Sequence, residues 1–428
     1  MRETVAVVGA AGHVGLGLSL CIADAGHHVF GIDIDEHAVA TVSAGQVPFV
    51  EDEAEEVLRR VLSNGRLTMT TDNSLVGRCD VVILIMGTPI DENLNPVILP
   101  LLRLLTTLKP YFKRGQLVIL RSTVCPGTAD TVRTTIENLT GLQVGRDLYL
   151  VFAPERVVQG KSLQEIPRLP QLVGAYEDAS FLRAKGFFAT FIHNQCLQLT
   201  PVEAELGKLM CNMARYVTFA IANEFSLIAK EYDANVHRIF EACSFEYPRF
   251  NLPTPGPNVA GPCLFKDGFF LIERVPFPEL VLTAFKINES MPMHIFKMIK
   301  AKPEIRKVAV LGLTFKAGND DIRYSLSFKL KKLLEAAGYE VSGYDPFLPE
   351  WSNKHALRGC ECAVLMTPHP QFADLNLLMD LIAEERCWYI DLWGFWPETR
   401  THSQGASFYA SDVEAAIGTG EIRTKSAA

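Results

Sequence analysis

The chain has no long hydrophobic run. Its most apolar stretch, Val81-Val-Ile-Leu-Ile-Met86, is far too short to cross a bilayer and reads as a buried strand. A cationic N-terminus followed by an apolar segment is also missing, so no signal peptide is expected and a cytoplasmic location follows. Basic residues are not in excess: 41 Lys and Arg stand against 49 Asp and Glu, a formal net charge of -8. That balance excludes a broadly basic surface for nucleic acid, while a local basic pocket for phosphates stays open. The ten cysteines are scattered, and the only close pair is Cys360-Glu-Cys362. With no zinc-type spacing among them, they read as reduced thiols and no metal is expected. Low-complexity segments are absent.

What is present is an ordinary globular composition, 48% hydrophobic and 21% charged, over 428 residues, enough for two or three domains. Thr4–Val8 is a short apolar strand. Gly9-Ala-Ala-Gly-His-Val-Gly15 follows, then a helical stretch through Ala25 and a second strand over 28–33. Asp33 ends that strand 18 residues after Gly15. A strand, a glycine turn, a helix and a strand closed by an acid form a dinucleotide-binding pattern. The glycines allow a tight turn and close approach to a pyrophosphate, and the helix N-terminus faces its charge. Asp33 accepts from ribose hydroxyls and repels a 2′-phosphate, which favours NAD over NADP. The spacing departs from GxGxxG, with Ala10 where the first glycine would fall. Read alone, such a loop could be only a turn that packs a helix on a sheet.

Further strands are expected at 81–86, 117–120 and 148–152, each after a helical segment, which makes the first domain doubly wound. Polar turns follow these strands: Gly87-Thr-Pro89, Ser122-Thr-Val-Cys-Pro-Gly-Thr128 and Ala153-Pro-Glu-Arg156. Ligands of open α/β sheets bind beyond such carboxyl ends. Residues 201–231 form a long helical pattern with Glu205, Lys208, Asn212 and Arg215 on one face. A polar stripe is often a solvated face, but the rest of this helix is apolar, so the stripe can also line a cleft. From about Lys307 a smaller α/β section begins, with strands over 308–314, 340–345, 362–366 and 388–392 and a helix over 325–337. It loosely echoes the first domain but has no glycine-rich phosphate loop of the first kind. Residues 418–428 read as a frayed tail. The run Gly256-Pro-Asn-Val-Ala-Gly-Pro-Cys-Leu-Phe-Lys-Asp267 sets one thiol, Cys263, beside a lysine and an acid. A lone cysteine is usually a small buried hydrophobe. A thiol in such a loop, downstream of a nucleotide fold, can instead add to a carbonyl.

With these pieces in order, the chain resembles the UDP-glucose/GDP-mannose dehydrogenase family. The glycine loop, Ser122-Thr-Val with Pro126-Gly, Pro154-Glu-Arg, Glu205-Leu-Gly-Lys with Asn212, Asn223-Glu224, Gly261-Pro-Cys-Leu-Phe-Lys-Asp267 and the 311–323 run fall in the family's order. The resemblance implies an α/β protein of two Rossmann-like doubly wound domains joined by a long central helix, which would form a homodimer. Expected boundaries are 1–197 for an NAD-binding domain, 198–303 for a central helical domain with the substrate loop and Cys263, and 304–428 for a nucleotide-sugar-binding domain. The implied reaction takes the C6 hydroxyl of a nucleotide sugar to a uronic acid with two NAD. Cys263 adds to the intermediate aldehyde, a second hydride leaves the thiohemiacetal, and water cleaves the thioester.

The resemblance also assigns residues. Gly9, Gly12, His13, Val14, Gly15, Asp33, Thr88, Pro89, Thr123 and Lys266 would hold NAD. Lys208 would stabilise charge on the C6 oxygen and lower the thiol pKa, and Asn212 would donate to the same oxygen. Asp267 would order a water or assist proton removal, Glu155 would serve hydrolysis, and Thr123 would position water. Arg156, Arg215, Arg249, Gly256, Gly261, Phe315, Lys316 and Arg323 would join Glu155, Lys208 and Asn212 around the substrate. Blander readings stand beside these: Glu155 paired with Arg156, Asp267 as a helix N-cap, Arg249 as solvated surface. Gln159, Pro262, Phe265 and Tyr324 depart from the commonest family pattern. The Pro-Glu-Arg run and the Arg249 loop lean toward UDP-N-acetylmannosamine or UDP-N-acetylglucosamine, with UDP-glucose and GDP-mannose as alternatives. A two-electron hydroxyacid-type dehydrogenase would leave Cys263 unexplained, and a non-catalytic binder would have no use for its thiol. Which group is the base of the first oxidation stays open.

Overall fold

The computed structural model describes residues 2–92, 95–262, 264–384, 386–401 and 406–409. Cys263 and the expected tail lie outside the described residues. The chain forms two compact units, residues 1–212 with 266–275, and residues 213–265 with those from 276 onward.

The first unit is built on eight strands: β1 (Thr4–Val8), β2 (His28–Ile32), β3 (Leu67–Thr70), β4 (Val81–Leu84), β5 (Leu117–Leu120), β6 (Tyr149–Phe152), β7 (Gln171–Ala175) and β8 (Cys196–Leu199). Their order is β3-β2-β1-β4-β5-β6-β7-β8, parallel except for the β6–β7 pair. Alternation in β1 shows why the sheet is covered on both faces. Val5 and Val7 pack into one apolar layer with Leu18, Ile22 and Phe187; Ala6 and Val8 pack into the other with Leu105 and Val132. The chain runs outward from β1 to β3 and then returns to β4 on the other side of β1. That reversal opens a crevice beyond the carboxyl ends of β1 and β4, where the Gly9–Gly15 loop and the Gly87–Pro89 turn stand.

The second unit carries β9 (Lys307–Leu311), β10 (Glu340–Tyr344), β11 (Cys362–Leu365), β12 (Trp388–Ile390) and β13 (Ser407–Tyr409). Their order is β10-β9-β11-β12-β13, antiparallel only at β12–β13. Val308 and Val310 face one buried layer, Ala309 and Leu311 the other. Both sheets are of the doubly wound, Rossmann-like kind. Between them in the chain stands the helix Pro201–Glu231, 31 residues long. No helix among the described residues is long and apolar enough to cross a membrane.

Candidate active site

The glycine loop is tied to the sheet end by the main chain: Gly9 and Ala10 both donate to Ile32 O, at 2.8 and 3.2 Å. Asp33 completes the turn by accepting from the Ala11 N–H at 2.9 Å. The helix His13–Asp24 begins at Gly12, which is exposed and supplies no side-chain cap, and no acid occupies its first turn. Its first N–H groups are therefore left for an anion, the arrangement a pyrophosphate needs. Val14 is half-buried and Gly15 buried within this turn, and the His13 ring stacks on Phe49 at 4.0 Å. Ile34, directly after Asp33, is 96% exposed, an apolar side chain held out beside the acid. The residues fit NAD, with the helix N-terminus for the pyrophosphate, Asp33 for ribose hydroxyls and Ile34 as an apolar face for the base.

A second cluster in the same unit surrounds the start of the long helix. Lys208 and Asn212, one turn apart, are 8% and 9% exposed. The Asn212 amide donates to Asp267 Oδ2 at 2.7 Å. Asp267 is fully buried in the first turn of the helix Leu264–Ile272, not at its N-cap, and its Oδ1 lies 3.4 Å from Lys266 Nζ. Lys266 also donates to Thr88 Oγ1 at 3.1 Å and lies over the Phe270 ring. The Thr88 hydroxyl donates in turn to Thr123 O at 2.6 Å, while the Thr123 hydroxyl has no partner among the described residues. Pro89 is exposed beyond Thr88. Five of the expected residues, Thr88, Thr123, Asn212, Lys266 and Asp267, are thus joined in one chain of bonds. Lys208 has no hydrogen-bond or ion-pair partner among the described residues. Its stem is buried while the ammonium keeps some exposure, which leaves the charge open to a ligand.

The polar stripe of the long helix divides. Glu205, Lys208 and Asn212 are buried, whereas Arg215 is exposed. Glu205 turns its carboxylate to the N-terminus of the helix Thr128–Thr140, accepting from Gly127 N at 2.6 Å and Ala129 N at 2.7 Å. Burial pushes its pKa up to about 7, against the opposing pull of those two N–H groups. A raised carboxyl pKa gives stability that is full below the ordinary value of 4.5 and is lost as the pH rises through about 7. Urea unfolding at about pH 5 and about pH 8 is therefore expected to show a loss of stability with rising pH that is smaller in Glu205→Gln. Equal slopes in the two proteins would refute it.

Glu155 does not pair with the guanidinium of Arg156. Arg156 sends that group to Pro170 O, and Glu155 Oε2 instead meets Arg121 Nη2 in an ion pair. Arg121, 2% exposed, was not singled out from the sequence. The available signal was its place directly after the wholly apolar strand β5, where a charge has to find a partner.

In the second unit, Gly256 N donates to Asn223 Oδ1 at 2.8 Å. Gly261 has φ +108, and a Cβ there would stand 2.6 Å from the Phe315 ring. Phe315 and Gly261 are therefore neighbours, and glycine is required for the close approach as well as for the backbone angle. The amide of Asn258, which sequence reading passed over, donates to Thr314 O at 2.9 Å and Thr367 Oγ1 at 2.9 Å. It thereby ties the loop before Cys263 to the run after β9. Within that run Lys316 is half-buried, and Arg323 grips Asp321 with Nε–Oδ1 at 3.0 Å and Nη2–Oδ2 at 2.6 Å. Arg249 is exposed, its guanidinium 4.6 Å from the Tyr247 ring centre.

An uncapped helix N-terminus at the switch point of a largely parallel sheet, closed by an acid, defines a dinucleotide-binding protein. Comparison with known proteins makes the class specific. Residues 3–192, 202–290 and 309–398 match the NAD binding, central and UDP binding domains of the UDP-glucose/GDP-mannose dehydrogenase family, and the chain belongs to that family of NAD-dependent nucleotide-sugar dehydrogenases. It is 33% identical over 382 residues to the UDP-N-acetyl-D-mannosamine dehydrogenase of Pyrococcus horikoshii, covering 87% of this chain and 91% of that protein. The solved UDP-D-ManNAc dehydrogenase structure from Pyrococcus horikoshii superposes with a TM-score of 0.82 at 32% identity, covering 88% of this chain and 92% of that one. The UDP-N-acetyl-mannosamine dehydrogenase of Staphylococcus aureus superposes with a TM-score of 0.80 at 32% identity, covering 90% and 92%.

Proposed function

We propose that this chain oxidises the C6 hydroxyl of a UDP-N-acetylhexosamine, UDP-N-acetylmannosamine first among them, to the uronic acid in two successive steps. The unpartnered ammonium of Lys208, carried on a mostly buried side chain one turn from the Asn212–Asp267 bond, supports this reading most. The similarity to UDP-N-acetyl-D-mannosamine dehydrogenases supports the sugar. NAD, when bound at the first unit, accepts the hydride at each oxidation. Lys208 and Asn212 stabilise the C6 oxygen as negative charge develops on it. Cys263 adds to the aldehyde and is the leaving group of the final hydrolysis, with Asp267, Thr123 and Glu155 managing water and protons. Lys316, Arg323, Arg249, Arg156 and Arg215 supply positive charge for the diphosphate and the sugar, and Gly256, Gly261 and Phe315 shape the loop around them. In this reading residues 1–197 serve the cofactor, 198–303 the chemistry and 304–428 the nucleotide. The active form is a homodimer through the long helix, whose Phe225 and Ile228, three residues apart, are 40% and 49% exposed, with Tyr232, 80% exposed, directly after its last residue.

The test is the NADH yield per sugar consumed, on UDP-N-acetylmannosamine, UDP-N-acetylglucosamine, UDP-glucose and GDP-mannose with excess NAD. A yield of about two with the first sugar, and slower turnover of the others, is expected for a four-electron oxidation. A yield of about one on every sugar would overturn the thioester route.

A further inference from the structure

We propose that Arg121 is a positioning residue for hydrolysis, fixing the Glu155 carboxylate so that a single oxygen lone pair is left for the attacking water. This rests on the reading of Glu155 given above. Strands β5 and β6 are parallel neighbours, with Leu120 opposite Phe152, so the residues that follow them, Arg121 and Ala153 to Glu155, are brought side by side. Arg121 Nη1 donates to Ala153 O at 2.9 Å and to Gln171 Oε1 at 3.0 Å. The Gln171 amide nitrogen donates to Pro154 O at 3.1 Å and Leu172 O at 2.8 Å, so its oxygen is turned to the guanidinium. With Nη1 held at two points, the planar fork aims Nη2 at Glu155 Oε2. The other carboxylate oxygen, Oε1, accepts from Arg156 N at 2.8 Å and Val157 N at 3.3 Å.

An ionised carboxylate offers about four lone-pair sites. Three are engaged here, and the fourth is on the oxygen that Arg121 holds. The Arg121 side chain is 1% exposed and that of Glu155 12%, so solvent reaches the carboxylate and not the guanidinium. In the hydrolysis the water oxygen bonds to the thioester carbon and the carbon–sulfur bond breaks. Sulfur leaves as the Cys263 thiolate. The water proton passes to Glu155 and from there to the thiolate or to solvent. Both hydride transfers precede this step, so impairing it alone leaves NADH formed but acid unreleased.

The experiment mixes full-length wild type, Arg121→Met, Arg121→Lys and Glu155→Gln rapidly with sugar and NAD. Both Arg121 variants are expected to give a burst of about two NADH per site, followed by a steady rate slower on the order of tenfold or more. Arg121→Lys, which keeps the charge but not the fork, should recover part of the rate, and KM for the sugar should move by less than about twofold. Should Arg121→Met fail to fold, Arg121→Lys decides alone. A burst in Glu155→Gln with a wild-type steady rate in Arg121→Lys would overturn the role of Arg121. Proportional loss of burst and steady rate marks a merely structural role and would overturn it too. No burst in Glu155→Gln would instead remove Glu155 from the hydrolysis step.

Discussion

Cys263→Ala is expected to lower uronate formation by about a thousandfold or more, while binding of NAD and of UDP stays within about twofold. The argument is one of electrons. An aldehyde gives up no hydride readily until a nucleophile has added to its carbon, and the thiol is the group proposed to add. Neither Cys21 nor Cys125 is suited to replace it. Burial pushes both Cys21 and Cys125 up to about 12, so neither yields a thiolate near neutral pH. Cys125 matters most here, because it stands two residues beyond Thr123 and packs with Leu209 and Phe270 beside the Asp267 cluster. The readout is uronate by mass spectrometry together with NADH by absorbance. If the variant still makes the acid at the wild-type rate, the covalent route is wrong and water must add to the aldehyde unaided.

Gly9→Ala should be the most damaging single methyl group in the first unit. Gly9 has φ +90, and a Cβ there would lie 1.6 Å from Ile85 O and 2.8 Å from its carbonyl carbon. Those atoms belong to the main chain just after β4, whose position is set by the whole sheet, so no rotamer change relieves the clash. The left-handed angle costs about 1–2 kcal/mol for an L side chain, and overpacking typically adds about 1–3 kcal/mol, for a total of roughly 2–5 kcal/mol. Against a usual margin of about 5–15 kcal/mol that is a large share. Urea unfolding should show a lower midpoint with an unchanged slope, and NAD binding should weaken because the same turn presents the helix N-terminus. An unchanged midpoint would mean that the β1 and β4 ends are far softer than their burial implies.

The fold was legible where short-range pattern carries it. Apolar β1, the glycine turn, the helix and β2 ending at Asp33 can be read in order because each obeys its own period and its own turn chemistry. Strand β3, Leu67-Thr-Met-Thr, is only four residues, and β13 only three. Strand β8 has no buried residue at all. The four-residue strands β4 and β5 stand out because they are wholly apolar, whereas short mixed or exposed runs carry too little pattern to do so. The common face of Glu205, Lys208, Asn212 and Arg215 was likewise readable, since helical spacing alone fixes it. Which of them are buried was not, because burial depends on what packs against the helix. Arg215 falls in the second unit and is exposed, whereas Glu205 meets the N-terminus of a helix 78 residues earlier in the chain.

By itself, then, the sequence determined the α/β class, the strongly apolar strands with their glycine turns, the acid that closes the nucleotide turn, and the residue types available for chemistry. These follow from steric and periodic rules that act over a few residues. Only the tertiary structure decided the pairings. Asp267 joins Asn212 across 55 residues, Lys266 joins Thr88 across 178, and Glu155 joins Arg121 across 34 in preference to its chain neighbour Arg156. The last case shows the reason. Arg121 and Glu155 meet because β5 and β6 are adjacent in one parallel sheet, and adjacency is chosen by the burial of whole strands. With the Arg121 guanidinium removed from bulk water, the high cost of leaving its charge unpaired fixes the partner.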